Sequence, residues 1–363
     1  MSWNYNHSFK IENKRIGSGE KTYFIADIGA NHGGDLGKAK DLIYLCAEAG
    51  ADAAKFQHFN AKTIVSDRGF SKLDRKYMSH QASWSKSVFE VYTAASINEK
   101  WTEVLNDTCI DAGITFMTTP YSPSLVDLVD EYVAAYKIGS GDITWTEHLE
   151  YIAKKNKPVI LACGASTMDE IVRAVSVILK YNPNLALLQC NTNYTADPTN
   201  FDFINLKVLE TFKSMFPNML IGLSDHTSGH ATALGAVTLG GKIIEKHFTD
   251  DKTQEGPDHK FAMDAQEWRD MVDRTSELER ALGTGVKKVE ENEKNTVVIQ
   301  RRCIRVNKDL DAGHVLQRSD LNILRPCPND AIEPHKLSQI LGCTLREPIS
   351  KDQHLKVQLL EEK

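Results

Sequence analysis

The chain has 363 residues, of which 41% are hydrophobic and 25% are charged, and its formal net charge is −6. This composition is ordinary for a globular protein, and the acidic balance argues against the basic surface that nucleic-acid binding needs. No apolar run reaches the roughly 18–20 residues that cross a bilayer, and the seven cysteines show no CxxC pair or zinc-type spacing. The N-terminal segment is polar and is not a secretory leader, so we expect a cytoplasmic protein without a nucleic-acid or membrane partner.

Short apolar runs alternate along the chain with segments of helical periodicity. The runs are continuous and rich in β-branched residues, as buried parallel strands are. The segments between them place apolar residues at i, i+3 and i+4, and several end on glycine. The runs span residues 22–29, 52–57, 114–119, 134–140, 158–164, 185–191, 220–226 and 242–248.

Eight strand–helix repeats predict an α/β fold of the (β/α)8 TIM barrel type. The main alternative is a doubly wound open sheet, which normally uses fewer strands and often has a GxGxxG turn. That turn is absent from residues 29–34. The barrel is predicted to occupy residues 1–282, followed by a polar, charged linker at 283–298 and a small domain of short strands and turns at 299–363.

One predicted connection is unusually long. Residues 59–96 follow the end of the second strand, and loops of this length are usually functional. Because the active sites of TIM barrels lie at the carboxyl ends of the strands, we expect this segment to cover the active-site face. The alternative is a folded decoration that only packs against the barrel.

Polar side chains stand at nearly every predicted strand end, where barrel enzymes carry their catalytic groups. They include Asp27, Gln57, Thr119, Ser140, Asp142, Asn191, Asn193, Tyr194 and Ser224. Lys55 and Lys137 lie inside apolar strands, where an ammonium group is costly unless it meets an anion. We therefore predict a phosphate or carboxylate site at the mouth; the alternative is that each lysine pairs with a barrel carboxylate.

Two histidines, His226 and His247, end adjacent predicted strands, so their imidazoles can converge. Such a pair suits Mn2+, Zn2+, Co2+ or Fe2+ acting as a Lewis acid on a carbonyl; the alternative is a satisfied core histidine. His230 is expected on a helix surface, and Asp225 is expected to support the neighbouring His226. Asp258, in the loop after the last strand, either binds substrate hydroxyls or only forms a turn.

Several motifs in a fixed order give the chain a specific resemblance. The motifs IADIGANHGG, AAKFQ, MTTPYS, AYKIGSGD, GLSDHT, EKHFT and GPDH resemble the sialic acid synthase family, which includes the N-acetylneuraminate, legionaminic acid and pseudaminic acid synthases. The C-terminal module resembles the antifreeze-like (SAF) domain of these enzymes.

The resemblance implies a transferase that condenses phosphoenolpyruvate with N-acetylmannosamine or a related 2-acetamido sugar. Water is the third reactant, and the products are a nine-carbon 2-keto sugar acid and phosphate. The alternative acceptors are a 6-deoxy-2,4-diacetamido hexose, giving legionaminic or pseudaminic acid, and a less usual sugar. Two other functions stay open: a metal-dependent aldolase or hydrolase on the same barrel, and a barrel that only binds a glycan or an ice surface.

The resemblance also implies roles for individual residues. His226 and His247 would hold the metal, Mn2+ foremost, with Mg2+ or Co2+ as alternatives. Catalysis is assigned to Asp27, Asp142 and Lys137. Lys55, Thr119, Lys137 and Ser140 match positions that hold phosphoenolpyruvate, and Gln57, Tyr194 and Asp258 match positions near the sugar. From their places at strand ends, Asn191, Asn193 and Ser224 are also expected to contact substrate. Arg302, with Arg301 as the fallback, would reach the sugar's N-acetyl group in the partner's site across a domain-swapped homodimer.

Some positions depart from the residues usual in this family. Asp27 and Asp142 replace glutamates, Ala162 stands where a serine is frequent, and Cys303 replaces the serine after Arg302. Each of the two acidic side chains is thereby one methylene shorter, and a hydroxyl that could bind phosphate is missing at position 162. The reaction class is unaffected, while the acceptor sugar and the base that activates water stay open.

Overall fold

Two compact units make up the chain, Met1–Gly283 and Thr284–Lys363; the structure, a computed structural model, describes residues 3–78, 81 and 84–361. The first unit opens with an antiparallel hairpin of β1 (Ser8–Ile11) and β2 (Lys14–Gly17), which the sequence did not predict. Its buried apolar side chains pack on residues from the first halves of the barrel strands. The hairpin therefore closes the N-terminal end of the barrel.

Eight parallel strands form one sheet within the described part of the first unit. They are β3 (Tyr23–Asp27), β4 (Ala53–His58), β5 (Thr115–Pro120), β6 (Tyr136–Ile138), β7 (Val159–Ala162), β8 (Leu185–Cys190), β9 (Leu220–Asp225) and β10 (Ile243–His247). The order β5-β4-β3-β10-β9-β8-β7-β6 gives a nearly closed barrel whose seam lies between β5 and β6. The predicted TIM barrel is confirmed, and each predicted run overlaps one strand.

Helices connect the strands and cover the outside of the barrel. They are α1 (Leu36–Glu48), α2 (Ala61–Ile64), α3 (Asp67–Lys72), α4 (Val88–Ala95), α5 (Thr102–Ala112), α6 (Pro123–Val129), α7 (Thr146–Ala153), α8 (Met168–Leu179), α9 (Val208–Met215), α10 (Ala231–Thr238) and α11 (Ala265–Leu282). The sequence sets several of their ends. Thr167 and Asp264 start α8 and α11 with capping boxes, and Gly113 ends α5 with a φ of 73°.

Two apolar layers support the mouth of the barrel. Side chains alternate between the two faces of each strand. The inward set, with Ile25, Met117 and Leu188, fills the barrel interior, and the outward set packs against the helices. The polar residues at the strand ends therefore lie on top of a filled interior, as in other TIM barrels.

The second unit has its own apolar core, with Ile304, Leu316 and Leu355 buried in it. Its elements are α12 (Lys294–Gln300), β11 (Cys303–Val306), β12 (Leu321–Leu324), α13 (Leu337–Ile340), β13 (Thr344–Leu345) and β14 (Leu360–Glu361). The stretch predicted as a linker is partly helical, since a 3-10 turn at Glu291–Glu293 leads into α12. None of the described helices in either unit is both long and apolar enough to cross a membrane.

Candidate active site

Two buried acid–lysine pairs lie at the mouth of the barrel. Lys137 Nζ of β6 is 3.4 Å from Glu245 Oε1 of β10, and Lys55 Nζ of β4 is 2.7 Å from Asp27 Oδ2 of β3. Burial lowers the pKa of Lys55, but Asp27 and Glu245 outweigh burial and raise that pKa, so the ammonium group stays charged. The structure thus pairs each lysine with a barrel carboxylate, which is the alternative that the sequence left open.

Glu245 is a site residue that the sequence analysis missed. Its Oε1 accepts a hydrogen bond from Ser224 Oγ at 3.0 Å. Its Oε2 is buried and has no hydrogen-bond partner among the described residues. The sequence feature that could have identified it is its position two residues before His247. Side chains two residues apart on a strand lie on the same face, so both point into the barrel. A buried carboxylate oxygen without a partner is costly, so Glu245 is placed to accept a hydrogen bond from a bound molecule.

Asp27 connects the Lys55 pair to the histidines. Its Oδ2 accepts a hydrogen bond from Gln57 Nε2 at 3.1 Å and lies 3.4 Å from His247 Nε2. Its Oδ1 accepts one from the Gly29 amide at 3.0 Å. Lys55 and Gln57 reach the same carboxylate because they are two residues apart on β4. Three of the residues predicted from strand ends, Lys55, Gln57 and His247, therefore surround the carboxylate of a fourth, Asp27.

The two predicted metal ligands converge, with 5.4 Å between the ring centroids of His226 and His247. His226 Nδ1 lies 2.8 Å from the Asn191 carbonyl oxygen, which can only accept, so Nδ1 carries the proton and Nε2 has a lone pair when the ring is neutral. Burial lowers the pKa of His247 to about 3, which keeps its ring neutral. Its Nδ1 is buried and has no hydrogen-bond partner among the described residues.

These observations fit a divalent cation held by the two imidazoles. Neutral rings with free lone pairs are the form that binds a borderline metal. Burial lowers the pKa of His226, but Cys190 and the Asn191 carbonyl outweigh burial and raise it, so a proton competes with the cation for this ring more strongly than for a free imidazole. Among the described residues, no group of three or more His, Cys, Asp or Glu is arranged to hold a metal. Any further ligands would therefore come from water or substrate.

A cavity of about 390 Å³ opens above these groups. The predicted site residues that line it are Gln57, Ser140, Asp142, Tyr194, His247 and Asp258. The described residues of the segment 59–96 add an aromatic and apolar wall that includes Phe59, Trp84, Val91 and Tyr92. They line the cavity at the carboxyl ends of the strands, as the sequence predicts for this segment.

Ser140 and Asp142 form part of a 3-10 turn after β6. Ser140 Oγ accepts a hydrogen bond from the Gly164 amide at 2.9 Å. A Cβ at Gly164 would lie 2.9 Å from that oxygen and 2.1 Å from Thr192 Oγ1, so only glycine allows this approach. Asp142 Oδ2 is buried and unpartnered within the described residues, and burial raises the pKa of Asp142 to about 6. Asp142 is thus a carboxylate that can exchange a proton near neutral pH.

Asp258 is held over the histidines by the turn after β3. Its Oδ2 accepts a hydrogen bond from the Ala30 amide at 3.1 Å and lies 3.8 Å from His247 Nδ1. Gly29 has a φ of +53°, and a Cβ there would lie 2.6 Å from Asp258 Oδ2. The conformation and the space both require glycine, so Gly29 allows Asp258 to face the cavity.

The other predicted substrate contacts differ in their surroundings. Thr119 is buried beside Gln57 in the sheet register, and the Tyr194 ring packs on His226 at 4.4 Å. Asn193 Oδ1 accepts hydrogen bonds from Thr195 within its own turn. Arg302 belongs to the second unit, where its guanidinium donates to the Ile323 carbonyl oxygen at 3.2 Å.

The structure refines one expectation about the histidines and confirms another. Asp225 does not contact the His226 ring directly, because its carboxylate is on the outer side of the barrel and contacts Lys246. The strand period of two separates the two neighbouring residues. His230 lies at the surface as expected, with its side chain 34% exposed and its Nδ1 3.2 Å from Asp270 Oδ2.

We expect Asp142→Asn to raise the melting temperature at about pH 8 and to have less effect at about pH 4. The native protein keeps the Asp142 proton up to a pKa of about 6, while the unfolded chain loses it near pKa 3.9. The unfolded state therefore binds fewer protons between these values, and stability falls as the pH rises through them. Thermal unfolding of the parent and of Asp142→Asn between about pH 4 and pH 8 measures the difference in melting temperature. A difference that does not change with pH would contradict the raised pKa of Asp142.

Comparisons with known proteins identify the family of this chain. The profile of the NeuB family matches residues 42–287, and that of the SAF domain matches residues 301–360. The N,N'-diacetyllegionaminic acid synthase of Legionella pneumophila is 36% identical over 343 residues, which cover 93% of this chain and 94% of that protein. The N-acetylneuraminate-9-phosphate synthase of Homo sapiens is 33% identical over 275 residues, which cover 76% of this chain and 75% of that protein.

A solved structure supports the same assignment. The N-acetylneuraminic acid (sialic acid) synthetase from Leptospira borgpetersenii, crystallised with citrate, superposes with a TM-score of 0.69 at 29% identity. The match covers 82% of this chain and 97% of that one. With the family profile over most of the barrel unit and relatives along almost the whole length, the chain belongs to the NeuB family of sialic acid synthases and ends in a SAF domain.

Proposed function

We propose that this chain condenses phosphoenolpyruvate with an N-acetylated amino sugar and water, giving a nine-carbon 2-keto sugar acid and phosphate. The observation that carries the proposal is the placement of two buried lysines and two converging histidines at one barrel mouth. Membership of the NeuB family and the names of the relatives support it.

The charged side chains at the mouth cancel one another, so an anionic substrate needs a further positive charge there. Lys55 and Lys137 are balanced by Asp27 and Glu245, so these four groups offer no net positive charge to phosphoenolpyruvate. The hydroxyls of Ser140, Ser224 and Thr119 add hydrogen bonds but no charge. When bound by His226 and His247, a divalent cation (Mn2+, or Mg2+ or Co2+) supplies the missing charge and polarises the sugar's aldehyde.

The protein's own groups position the reactants and move one proton. Lys55 and Lys137 orient phosphoenolpyruvate so that its C3 forms a bond to the aldehyde carbon, and Gln57, Tyr194 and Asp258 hold the sugar. Asp142, with its pKa of about 6, is ionised at neutral pH and takes a proton from the water that adds to C2. The aldehyde oxygen gains the electron pair of its π bond and takes up one proton, equal to the one that Asp142 removes from water. The bond between C2 and the phosphate oxygen then breaks, phosphate leaves with that electron pair, and the C2 hydroxyl passes its proton to the phosphate as the 2-keto group forms.

The cavity lining bears on which sugar is accepted. None of the described residues that line it is a lysine or an arginine, whereas Asp142 and Asp258 are both present. An acceptor with its own phosphate group would face carboxylates there, so we propose an unphosphorylated sugar. The second candidate is a 6-deoxy-2,4-diacetamido hexose, as in the legionaminic acid synthase relative. The wall that includes Phe59, Trp84 and Val91 suits its additional methyl groups.

The test is an acceptor panel with the full-length protein, Mn2+ and phosphoenolpyruvate. The acceptors are N-acetylmannosamine, its 6-phosphate, 2,4-diacetamido-2,4,6-trideoxymannose, and N-acetylglucosamine as a stereochemical control. We expect phosphate release and a product of the corresponding mass with one of the unphosphorylated mannose-type sugars, and none with the phosphate ester. Phosphate release that never exceeds the no-sugar background contradicts the proposal, and turnover of a sugar without phosphoenolpyruvate indicates an aldolase or hydrolase.

We further propose a homodimer in which Arg302 of one chain serves the active site of the other. The support is the resemblance stated above and the SAF domain match over residues 301–360. Within its own unit, the Arg302 guanidinium bonds only to a carbonyl oxygen in the described hydrogen bonds, so it retains donors for a substrate carbonyl.

A further inference from the structure

A buried ion pair lies on the outer side of the barrel, directly behind the two histidines. Lys246 Nζ contacts Asp225 Oδ2 and donates a hydrogen bond to the Thr227 carbonyl oxygen at 2.7 Å. The two charged side chains are 1% and 0% exposed. Asp225 and Lys246 are register partners on β9 and β10, and each directly precedes one of the histidines in sequence. The strand period sends the pair outward and the histidines inward.

The remaining acceptor positions of Asp225 are also used. Its Oδ2 accepts hydrogen bonds from the hydroxyls of Thr227 at 2.8 Å and Thr232 at 2.6 Å, and its Oδ1 lies 3.2 Å from the Thr227 amide nitrogen, which donates to it. Thr232 belongs to the first turn of α10. The network therefore joins the ends of two strands, the turn after β9 and a helix.

The energetics of such a pair suggest a role other than stability. Removing two charges from water costs about as much as their attraction returns, so a buried ion pair contributes little net stability compared with apolar residues of the same size. What it supplies is one well-defined arrangement of the elements that it joins. Here those elements carry His226 and His247.

The histidines depend on that arrangement. The His226 ring is tied to the Asn191 carbonyl through Nδ1, while His247 Nδ1 has no hydrogen-bond partner among the described residues. The 5.4 Å between the two ring centroids is therefore set mainly by where the backbone places residues 226 and 247. That placement follows directly from the pairing of the residues before them.

We propose that Asp225 and Lys246 are positioning residues that set the spacing of His226 and His247 for a divalent cation. The inference rests on the metal site of the proposed function. Removing one partner leaves the other charge buried and unpaired, so the strand ends must shift to relieve it. Replacing both with apolar residues removes the unpaired charge but also removes the link between the strands.

The test measures Mn2+ binding to the full-length protein without substrates, by the electron paramagnetic resonance signal of free Mn2+, together with thermal unfolding without metal. Asp225→Asn and Lys246→Met are each expected to weaken Mn2+ binding by about tenfold or more, the effect typical of residues that orient metal ligands. The double variant Asp225→Leu/Lys246→Met is expected to regain the parent melting temperature and to keep the weakened binding. If the pair served stability alone, the double variant would regain the Mn2+ affinity together with the melting temperature.

Tyr136→Phe is the matched control. It removes a partly buried hydrogen bond to Asp130 Oδ1 of 2.8 Å on the outer side of β6, next to the site residue Lys137. It should lower the melting temperature and leave Mn2+ binding unchanged; if it weakens binding as much as Asp225→Asn does, the positioning role is wrong.

Two further outcomes would overturn the inference. One is Mn2+ binding within about twofold of the parent in folded single variants; the other is a double variant that regains both stability and affinity. His247→Ala distinguishes this failure from failure of the metal site. If His247→Ala loses binding while the pair variants keep it, only the positioning role is wrong. If His247→Ala also binds like the parent, the metal site of the proposed function is wrong as well.

Discussion

Lys137→Met is expected to lower kcat/KM for phosphoenolpyruvate by about 10³-fold, the upper range for loss of one preorganised charge-stabilising group. Lys137 is 2% exposed, and its ammonium group, like that of Lys55, lies at the mouth of the barrel. The substitution also leaves Glu245 buried without its partner, and breaking a buried pair costs about 3–5 kcal/mol of folding free energy. Steady-state kinetics at varied phosphoenolpyruvate and thermal unfolding measure the two effects.

The double variant Lys137→Met/Glu245→Gln separates activity from stability. A glutamine can still accept the hydrogen bond that Ser224 Oγ donates at 3.0 Å, and it carries no charge, so the melting temperature should return towards the parent value. The catalytic loss should remain. Lys155→Met is the surface control, since that lysine pairs with Asp127 at 2.7 Å on the outside of the barrel. Recovery of kcat/KM in the double variant would mean that Lys137 serves the fold alone.

His226→Ala and His247→Ala are each expected to lower kcat by about 10²–10³-fold at saturating phosphoenolpyruvate. This corresponds to the several kcal/mol that a metal ion contributes by polarising a carbonyl. Both rings are buried among aromatic side chains, with His247 4.8 Å from the Phe261 ring centroid, so some stability is lost as well. The measurement is kcat as a function of Mn2+ concentration, and excess Mn2+ should not restore the parent rate.

His230→Ala is the matched histidine control for these variants. It lies close to His226 in the sequence but is partly exposed and pairs with Asp270, so its removal should leave both kcat and the Mn2+ dependence as in the parent. A His247→Ala protein with the parent's rate and metal dependence would show that the metal assignment is wrong.

The barrel was predictable because the burial of each strand is visible in a short stretch of sequence. Strands buried on both faces must be continuous apolar runs, and their carboxyl ends must share one edge, so Lys55, Lys137, His226 and His247 could be grouped from sequence alone. The hairpin of β1 and β2 escaped prediction because it lies outside the strand–helix repeat and its two strands have only four residues each.

The site was less predictable because side-chain direction decides contacts. Glu245 and Lys246 are adjacent in the sequence, yet one faces Lys137 across the barrel and the other faces Asp225 on the outside. Only the register of β9 with β10 decides which residue faces which side. The same alternation explains why Asp225 pairs with Lys246 and does not contact the His226 ring.

The hairpin that closes the N-terminal end of the barrel constrains the order of events in the proposed reaction. Phe9, Ile11 and Ile16 are buried against the barrel interior, so in the part of the chain that the structure describes the lysines face the carboxyl-end opening. In the proposed reaction, a sugar held at Asp258 would lie above a phosphoenolpyruvate bound on Lys55 and Lys137. We therefore expect phosphoenolpyruvate to bind before the sugar, and phosphate to leave after the sugar acid.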